Sequence, residues 1–537
     1  MKKLISSSMI ALLTVTVLLS SCQSLDVVNQ NNPDEARALA TPSDIESLIA
    51  GSFLSWFDAI QSSTPNMSLA MPADVYTCGW GNFGMGVMSE EPRIEFNNTS
   101  TSSTRNVVED PWFNLYGAIS AASDGIRNIQ AGNVTLGADK DTRAIGFGKF
   151  VQGLAHGWLA LMFDQGFILD ENVDLNTDEL VLQPYTEVMA AAIEQLEAAI
   201  VIFRANPAFT LPDTWINKKA WTFAELEQVA HSFIARYMVL VPRDRTERSN
   251  VAWNTVMTHL DMGITEDFSI LGDGAGRSST WYSGTHWYSG PINWGTWQRV
   301  DYKLIGPSDT GTDYDDWINL NINDRDEFIF QSSDKRIWDG TLSPDGTQNP
   351  GTQFGQTGNT TFIRERYGFS RYGHTRFDHI SASNNASDIV LFRPSELDFI
   401  RAEALLNTGG STAEIAALLD RTHVIDGGYD SAASLAAGSI SDPLQPQHDK
   451  GATLWSVLKY EKLVDLLGTF SGREYWEKRG WGELTPGNPI QFPVPAKDLE
   501  TLQLMLYSFG GVGQTGGAPK IAVRPAGEDP KEWRLRR

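Results

Sequence analysis

The sequence predicts a mostly α-helical fold, in which helical hairpins stack in the manner of TPR repeats around a long loop-rich middle region. Several stretches repeat apolar residues at spacings of 3 and 4, which places one apolar stripe on each helix. Breaks containing Pro and Gly separate these stretches, so each stripe must pack against a neighbouring helix. Between 270 and 387 the helical spacing stops, and Gly, Ser, Thr, Asn, Asp and aromatic residues take over. Such a region is typical of functional loops.

The start of the chain has the features of an export signal. Two lysines precede an uncharged stretch, 9–19, which is too short for a permanent membrane span. The residues Leu-Ser-Ser-Cys that end at Cys22 are similar to the lipobox of bacterial lipoproteins, whose cysteine is acylated and becomes the mature N-terminus. We predict a signal peptide at 1–21, lipidation of Cys22 and a polar tether at 22–40. The alternative is an ordinary secretory signal in which Cys22 is incidental.

Composition and charge narrow the classes of partner. The chain has 537 residues, 41% of them hydrophobic, and a formal net charge of −24. Loss of the predicted signal would make the charge two units more negative, which disfavours nucleic acid and anionic lipid as partners. If Cys22 is lipidated, Cys78 has no disulfide partner, because the chain has two cysteines. We therefore expect Cys78 to be a small buried side chain.

Helix signals appear in order along the chain. The run Thr41-Pro42-Ser43-Asp44 predicts a helix start, with a hydroxyl cap, Pro at the first position and an acid in the first turn. The apolar stripes run over Ile45 to Ile60, Phe147 to Leu161, Met189 to Phe203, Phe223 to Leu240, Leu397 to Ala404 and Val457 to Leu467. We predict one domain over 41–537, made of TPR-like helices at 41–269, a loop-rich ligand-facing region at 270–387, and C-terminal helices with a wrapping tail at 388–537.

An ordered set of motifs resembles the SusD/RagB family of nutrient-binding outer-membrane lipoproteins. After the lipobox come Asn31-Asn32-Pro33-Asp34, Gly148 to Leu154, Phe163-Asp164-Gln165-Gly166, Leu196-Glu197-Ala198, Arg393 to Leu405, Gly472 to Gly480 and Phe492-Pro493-Val494-Pro495. The sequence departs from the family pattern at 420–423 and 460–466, which indicates a divergent branch. The resemblance implies a SusD-like fold, a lipid anchor in the outer membrane, a small nutrient such as an oligosaccharide, and a SusC-like TonB-dependent transporter as partner. It implies no cofactor.

The strongest chemical feature is an aromatic segment at 281–297, which contains four Trp and two Tyr in 17 residues. A Trp-Tyr-Ser-Gly repeat at a spacing of six puts both Trp on one face of an extended chain. Flat indole faces suit the C–H faces of pyranose rings. The predicted ligand-binding residues are Trp281, Tyr282, Trp287, Tyr288, Trp294 and Trp297, with Trp80 from a second aromatic cluster that includes Tyr76 and Phe83. Two alternatives stay open: the rings pack loop against helix as a satellite core, or they contact a partner protein.

Signals for catalysis are weak. The sequence has no Gly-x-Ser-x-Gly elbow, no P-loop and no His-Glu-x-x-His. Glu396 and Glu403 lie on a helix that the resemblance makes structural. The acidic stretch 313–326 is interpreted as a solvated loop, with calcium binding as the alternative. We predict a non-catalytic binding lipoprotein with no metal. The alternatives are a surface glycoside hydrolase or another degradative enzyme, and a helical scaffold that binds only protein.

Overall fold

Helices dominate the chain, and the strands are short. The computed structural model describes residues 39, 41–175, 177–284, 298–356, 370–513 and 520–521. The helices are α1 Pro42–Gln61, α2 Ser63–Ala70, α3 Met85–Met88, α4 Asn106–Gln130, α5 Ala138–Met162, α6 Tyr185–Ala205, α7 Phe223–Leu240, α8 Arg245–Ser249, α9 Trp253–Leu260, α10 Tyr302–Ile305, α11 Asp313–Ile318, α12 Asp378–Ala382, α13 Pro394–Thr408, α14 Thr412–His423, α15 Leu454–Asp465, α16 Arg473–Trp481 and α17 Ala496–Thr501. The strands are β1 Tyr76–Cys78, β2 Gln165–Gly166, β3 Gln183–Pro184, β4 Phe268–Leu271, β5 Gln298–Val300, β6 Trp338–Leu342, β7 Gln348–Pro350, β8 Phe354–Gln356, β9 Tyr372–His374, β10 Asp388–Phe392, β11 Tyr507–Ser508 and β12 Lys520–Ile521.

The long helices stack in sequence order. Helix α4 packs on both α1 and α5, α5 packs on α6, and α6 packs on α7. Helix α9 joins α7 to α13, after which α13, α14 and α15 pack on one another. Each apolar stripe is thus covered by a neighbouring helix, as the 3 and 4 spacing requires. The prediction of a mostly helical, TPR-like stack is confirmed.

The helix starts are fixed by local hydrogen bonds. Thr41 Oγ1 accepts from the backbone N–H of Asp44 at 3.2 Å, so the predicted cap of α1 is present. At the start of α7, Thr222 Oγ1 accepts from the backbone N–H of Glu225, and the Glu225 carboxylate accepts from the backbone N–H of Thr222. Such reciprocal bonds satisfy N–H groups that have no partner inside the helix.

A close contact between α5 and α7 shows how tightly the stack is built. A Cβ added at Gly157 would lie 2.0 Å from the ring of Tyr237. The Tyr237 hydroxyl donates to the backbone oxygen of Leu154 at 2.7 Å. The two helices therefore approach so closely that position 157 has no room for a side chain, and the buried hydroxyl keeps a partner.

Two glutamates of α13 belong to the framework of the protein. Glu396 accepts from Arg236 Nε and Nη2 at 2.7 and 2.6 Å. Glu403 accepts from Arg248 Nε at 2.7 Å and from Lys462 Nζ at 2.8 Å. Burial acts to raise the pKa of Glu403, but the two adjacent cations hold that pKa well below its usual range. Both glutamates are thus committed to joining helices, as predicted.

The middle region and its two borders contain antiparallel strand pairs that the sequence reasoning did not predict. Strand β4 pairs with β10 where the region begins and ends, and within it β6 pairs with β7 and β8 with β9. Strand β1, from the N-terminal helical part, pairs with β5 of the middle region. Cys78, the last residue of β1, is 1% exposed, so its predicted burial is confirmed.

Candidate ligand-binding site

The pairing of β1 with β5 brings two aromatic parts of the sequence to one place. Tyr76 pairs with Val300 and Cys78 pairs with Gln298, so the end of β1 lies beside the start of β5. The chain leaves β1 into the glycine-rich loop 79–84, and it enters β5 directly from the aromatic segment. We call this end of the pair the aromatic end. It joins clusters that lie about 200 residues apart in the sequence.

Loop 79–84 has a defined backbone and a half-buried tryptophan, Trp80. Gly81 and Gly84 have φ angles of 79° and 81°, and Phe83 has a φ of 55°, in the left-handed region that disfavours side chains. A Cβ added at Gly84 would lie 2.4 Å from Cγ2 of Val107. The loop is therefore seated on the start of α4, and strained backbone of this kind tends to occur at ligand-binding sites.

The residues on either side of 285–297 rest on α1 and α2. Ser283 Oγ donates to Gln61 Oε1 at 2.9 Å. A Cβ added at Gly284 would lie 2.9 Å from the backbone oxygens of Gln61 and Ser62, so the chain passes very close to the junction between α1 and α2. On the other side, Gln298 Nε2 donates to the backbone oxygen of Met67 at 3.5 Å. The residues on either side of 285–297 are thus fixed on the same two helices.

Trp281 occupies a different environment from Trp80. It is 8% exposed, and its ring centre lies 5.4 Å from that of Phe57 and 6.2 Å from that of Phe53, both on α1. This is the packing that the satellite-core alternative describes. Tyr282 is half-buried. Contact of Trp281 or Tyr282 with a ligand stays a prediction.

Several predicted residues lie outside the described part of the chain. These are Cys22, Trp287, Tyr288, Trp294 and Trp297. Lipidation of Cys22 and ligand binding by the four aromatic residues therefore also stay predictions. The geometry of the site comes from neighbouring residues that the structure describes.

A buried Tyr–His pair connects β1 to β9. Tyr76 is 3% exposed, and its hydroxyl lies 2.6 Å from Nδ1 of His374 on β9. The His374 ring stacks on Phe354 of β8 with 5.0 Å between ring centres. Burial lowers the pKa of His374 to about 3, so the imidazole is neutral at physiological pH. This pair joins β1 to β8 and β9. Because Tyr76 and His374 lie far apart in the sequence, no local pattern predicts their contact.

A buried arginine connects β5 to the chain that enters β9. Arg299 Nη1 donates to the backbone oxygen of Ser370 at 2.6 Å and lies 3.5 Å from Glu327 Oε1. Burial lowers the pKa of Arg299 to about 10, which leaves it charged at neutral pH. Ser370 Oγ also donates to the backbone oxygen of Val300. Strands β1, β5, β9 and β8 are thereby connected side by side.

A polar cleft of 550 Å³ lies beyond β8. Its wall includes Gln331, Gln348 and Gln356 together with the exposed side chain of Leu342. Gln356 Nε2 donates to Gln348 Oε1 at 2.6 Å, and Gln348 Nε2 donates to the backbone oxygen of Phe330 at 2.9 Å. Amides that orient one another in this way suit the recognition of sugar hydroxyls. The sequence reasoning did not single out these glutamines.

The acidic residues that begin the stretch 313–326 lie at the start of α11. Asp313, Asp315 and Asp316 form the first turn of α11, where carboxylates interact favourably with the helix dipole. Within the described ranges, no group of three or more His, Cys, Asp or Glu side chains is placed to hold a metal ion. The interpretation of the stretch as a loop is therefore wrong at 313–318, which is helical.

Solved structures share this arrangement of helices and short strands. A SusD superfamily protein from Bacteroides vulgatus has a TM-score of 0.54 and 13% identity, over 86% of this chain and 97% of that chain. One from Bacteroides thetaiotaomicron has a TM-score of 0.54 and 14% identity over the same shares. The chain has a SusD-like fold. This confirms the fold that the motif resemblance implied.

A further solved structure with a SusD-like fold is described as a carbohydrate binding protein. This SusD-like protein from Bacteroides fragilis has a TM-score of 0.50 and 13% identity, over 83% of this chain and 87% of that chain. At such identities the likeness concerns the fold alone. No protein-family model matches the sequence, and no curated protein matches it.

Among the described residues of this SusD-like fold, no helix is both long enough and apolar enough to cross a membrane. In the C-terminal part of the fold, the predicted motif Gly472 to Gly480 forms α16. Arg479 on this helix donates to the backbone oxygens of Leu161 and Leu240 at 2.8 Å each. The motif therefore ties α16 to the ends of α5 and α7.

Proposed function

We propose that this protein is a non-catalytic surface lipoprotein that binds an oligosaccharide, or another small nutrient, and delivers it to a SusC-like TonB-dependent transporter of the outer membrane. The observation that carries the proposal is the pairing of Cys78 with Gln298, which places the loop that holds Trp80 beside the residue that follows the aromatic segment. A SusD-like protein described as carbohydrate binding shares the fold, which supports the ligand class.

Binding at the aromatic end would combine ring stacking with hydrogen bonds. The rings of Trp80 and the aromatic segment would cover the C–H faces of sugars, and Gln348 and Gln356 in the polar cleft beyond β8 would bond hydroxyl groups of a ligand long enough to reach both places. Because desolvation of hydroxyl groups offsets much of the stacking, we expect dissociation constants in the micromolar to millimolar range, about 4 to 8 kcal/mol.

Hydrolysis receives less support than binding. A glycoside hydrolase needs two carboxyl groups on either side of the scissile bond. Glu396 and Glu403 are buried in ion pairs, so neither can serve. Burial raises the pKa of Glu327, but this carboxyl group lies 3.5 Å from the guanidinium of Arg299. These ion pairs weigh against the use of the three glutamates as a catalytic pair.

The ligand class and the non-catalytic role are tested together. Purified full-length protein is run in native gels that contain single polysaccharides, and the same mixtures are assayed for released sugar. We expect retardation by at least one glycan with no product. Trp80→Ala should weaken binding, whereas Trp221→Ala, a half-buried tryptophan that packs on Phe268, serves as the matched control and should not. Product release would identify a hydrolase, and equal binding by both variants would remove the aromatic end as the site.

The partner and the anchor are tested in the membrane. Acylation of Cys22 would hold the protein at the bilayer, because two acyl chains give stable anchoring. The protein should then be recovered with a TonB-dependent barrel protein when it is captured from detergent-solubilised membranes. Repeated capture without any barrel protein would contradict delivery to such a transporter.

A further inference from the structure

The strand pair β1–β5 has a second end, opposite the aromatic end, and a cavity lies beside it. Asp74 lies just before β1, and Lys303 lies just after β5. The cavity has a volume of 490 Å³ and is lined by Lys303, Lys450, Lys478, Asp315 and Glu483, with Pro443 and Leu444 among its apolar wall. We call it the lysine cavity. Its size falls within the range of about 300 to 1,000 Å³ that is usual for small-molecule sites.

Lys478 on α16 is a buried cation without a bonded partner. It is 6% exposed, and none of the described residues forms a hydrogen bond or an ion pair with its Nζ. The nearby carboxylate of Asp74 is already engaged, since it accepts from Arg93 and from Thr485 at 2.6 Å each. Burial lowers the pKa of Lys478. An ammonium group in this position costs folding free energy unless something bonds it.

The same cavity contains a buried acceptor without a donor. Glu483 Oε1 accepts from Lys459 Nζ. Glu483 Oε2 is buried, and within the described chain it has no hydrogen-bond partner. Native proteins rarely leave a buried acceptor without a hydrogen-bond donor, and a bound molecule is one explanation when they do. The lysine cavity thus offers three N–H donors on Lys478 and one carboxylate oxygen on Glu483.

The other lysines of the cavity are already paired. Lys303 Nζ lies 2.7 Å from Glu91 Oε1 and 3.1 Å from Asp74 Oδ1. Lys450 Nζ donates to the backbone oxygen of Gly311 at 3.2 Å. Of the three lysines in the wall, Lys478 is therefore the one whose charge has no bonded partner among the described residues. A ligand with a single negative charge would balance it.

We propose that the lysine cavity binds a small hydroxylated carboxylate of the sugar-acid class. Its carboxylate accepts hydrogen bonds from Lys478, and one of its hydroxyl groups donates to Glu483 Oε2. The apolar wall at Pro443 and Leu444 covers the C–H face of the ligand. This site lies at the opposite end of β1–β5 from the aromatic end, so it does not depend on glycan binding there.

Two lysine-to-methionine variants of the full-length protein test the site. Lys478 lacks a bonded partner, whereas Lys459 donates to the backbone oxygens of Ile440 and Asp442 at 2.5 and 2.8 Å and also to Glu483. Both changes remove one buried positive charge. Without ligand, Lys478→Met should melt at or above the wild-type temperature, and Lys459→Met should melt lower.

Calorimetric titration with galacturonate, gluconate and neutral galactose gives the second readout. We expect the wild type to bind a sugar acid and not galactose, and Lys478→Met to bind that acid at least tenfold more weakly. The proposal is overturned if the wild type binds neither acid, if Lys478→Met binds as tightly as wild type, or if Lys478→Met melts as low as Lys459→Met. The last result would mean that the ammonium group is satisfied within the protein.

Discussion

Asp164 makes the folding stability of this protein depend on pH. It follows α5 and accepts from the hydroxyl of Tyr507 on β11 at 2.9 Å. Gln165 Nε2 donates to the same hydroxyl at 2.9 Å. This group of bonds ties the C-terminal segment to the end of α5. Burial raises the pKa of Asp164 to about 7, although the bond from Tyr507 and the charge of Arg243 act to lower it.

The sign and size of the effect follow from this pKa. The folded value lies above the unfolded value of about 3.9, so the unfolded chain ionises first as the pH rises. The contribution of Asp164 is therefore complete below about pH 4 and is lost as the pH rises through about 7. At about 1.4 kcal/mol per pKa unit, the whole loss is about 4 kcal/mol, and about 2 to 3 kcal/mol of it falls between pH 5 and pH 8.

The perturbation is Asp164→Asn, which keeps the shape and the acceptor oxygen but cannot ionise. The free energy of unfolding is measured by denaturant titration of wild type and variant at pH 5, 6, 7 and 8. Their difference should change by about 2 to 3 kcal/mol across this range, in favour of the variant at high pH. Subtraction removes the other titrating groups, such as the buried histidines. A difference that does not change with pH would refute the reasoning.

Three further predictions concern the core, the framework and the anchor. Trp281→Ala should lower the free energy of unfolding by about 3 to 5 kcal/mol in a denaturant titration, because it opens a cavity against Phe53 and Phe57 of α1. A loss below about 1 kcal/mol would contradict the core position of Trp281. Glu403→Gln should lower the free energy of unfolding by about 3 to 5 kcal/mol in the same assay, because it leaves the charges of Arg248 and Lys462 poorly compensated. The control is the exposed ion pair of Asp398 with Arg421, where Asp398→Asn should lower that free energy by at most about 1 kcal/mol. Cys22→Ala should abolish incorporation of a labelled fatty acid in cells, and a wild-type protein without label would disprove lipidation.

The helical stack could be predicted where large apolar residues repeat, because that spacing is a local property of the chain. The stripe from Phe147 to Leu161 lies within α5. Helix α4 was missed, although it is as long as α5. Small residues supply part of its buried face, and a Cβ added at Gly125 would lie 2.3 Å from Ile49. Glycine contributes little to an apolar pattern, so its role becomes visible only when the facing helix is in place.

The site could be predicted only in part, because its geometry depends on distant pairings. The aromatic residues stand out by composition, and the sequence places Trp80 and Trp281 in similar surroundings. The structure places Trp80 on a loop at the aromatic end and Trp281 in the core beside α1. Trp281 is buried because α1 places the rings of Phe53 and Phe57 beside it. The three-residue strands β1 and β5 are too short to show a period-two pattern.

Hydrogen–deuterium exchange with and without a bound oligosaccharide tests the central claim most directly, because it locates the ligand without changing the protein. We expect slower exchange at 76–84 and 282–300, on both sides of the aromatic end, with no change in α14 and α15. Protection confined to α14 and α15, or to any other part of the helical stack, would contradict the aromatic end as the ligand-binding site.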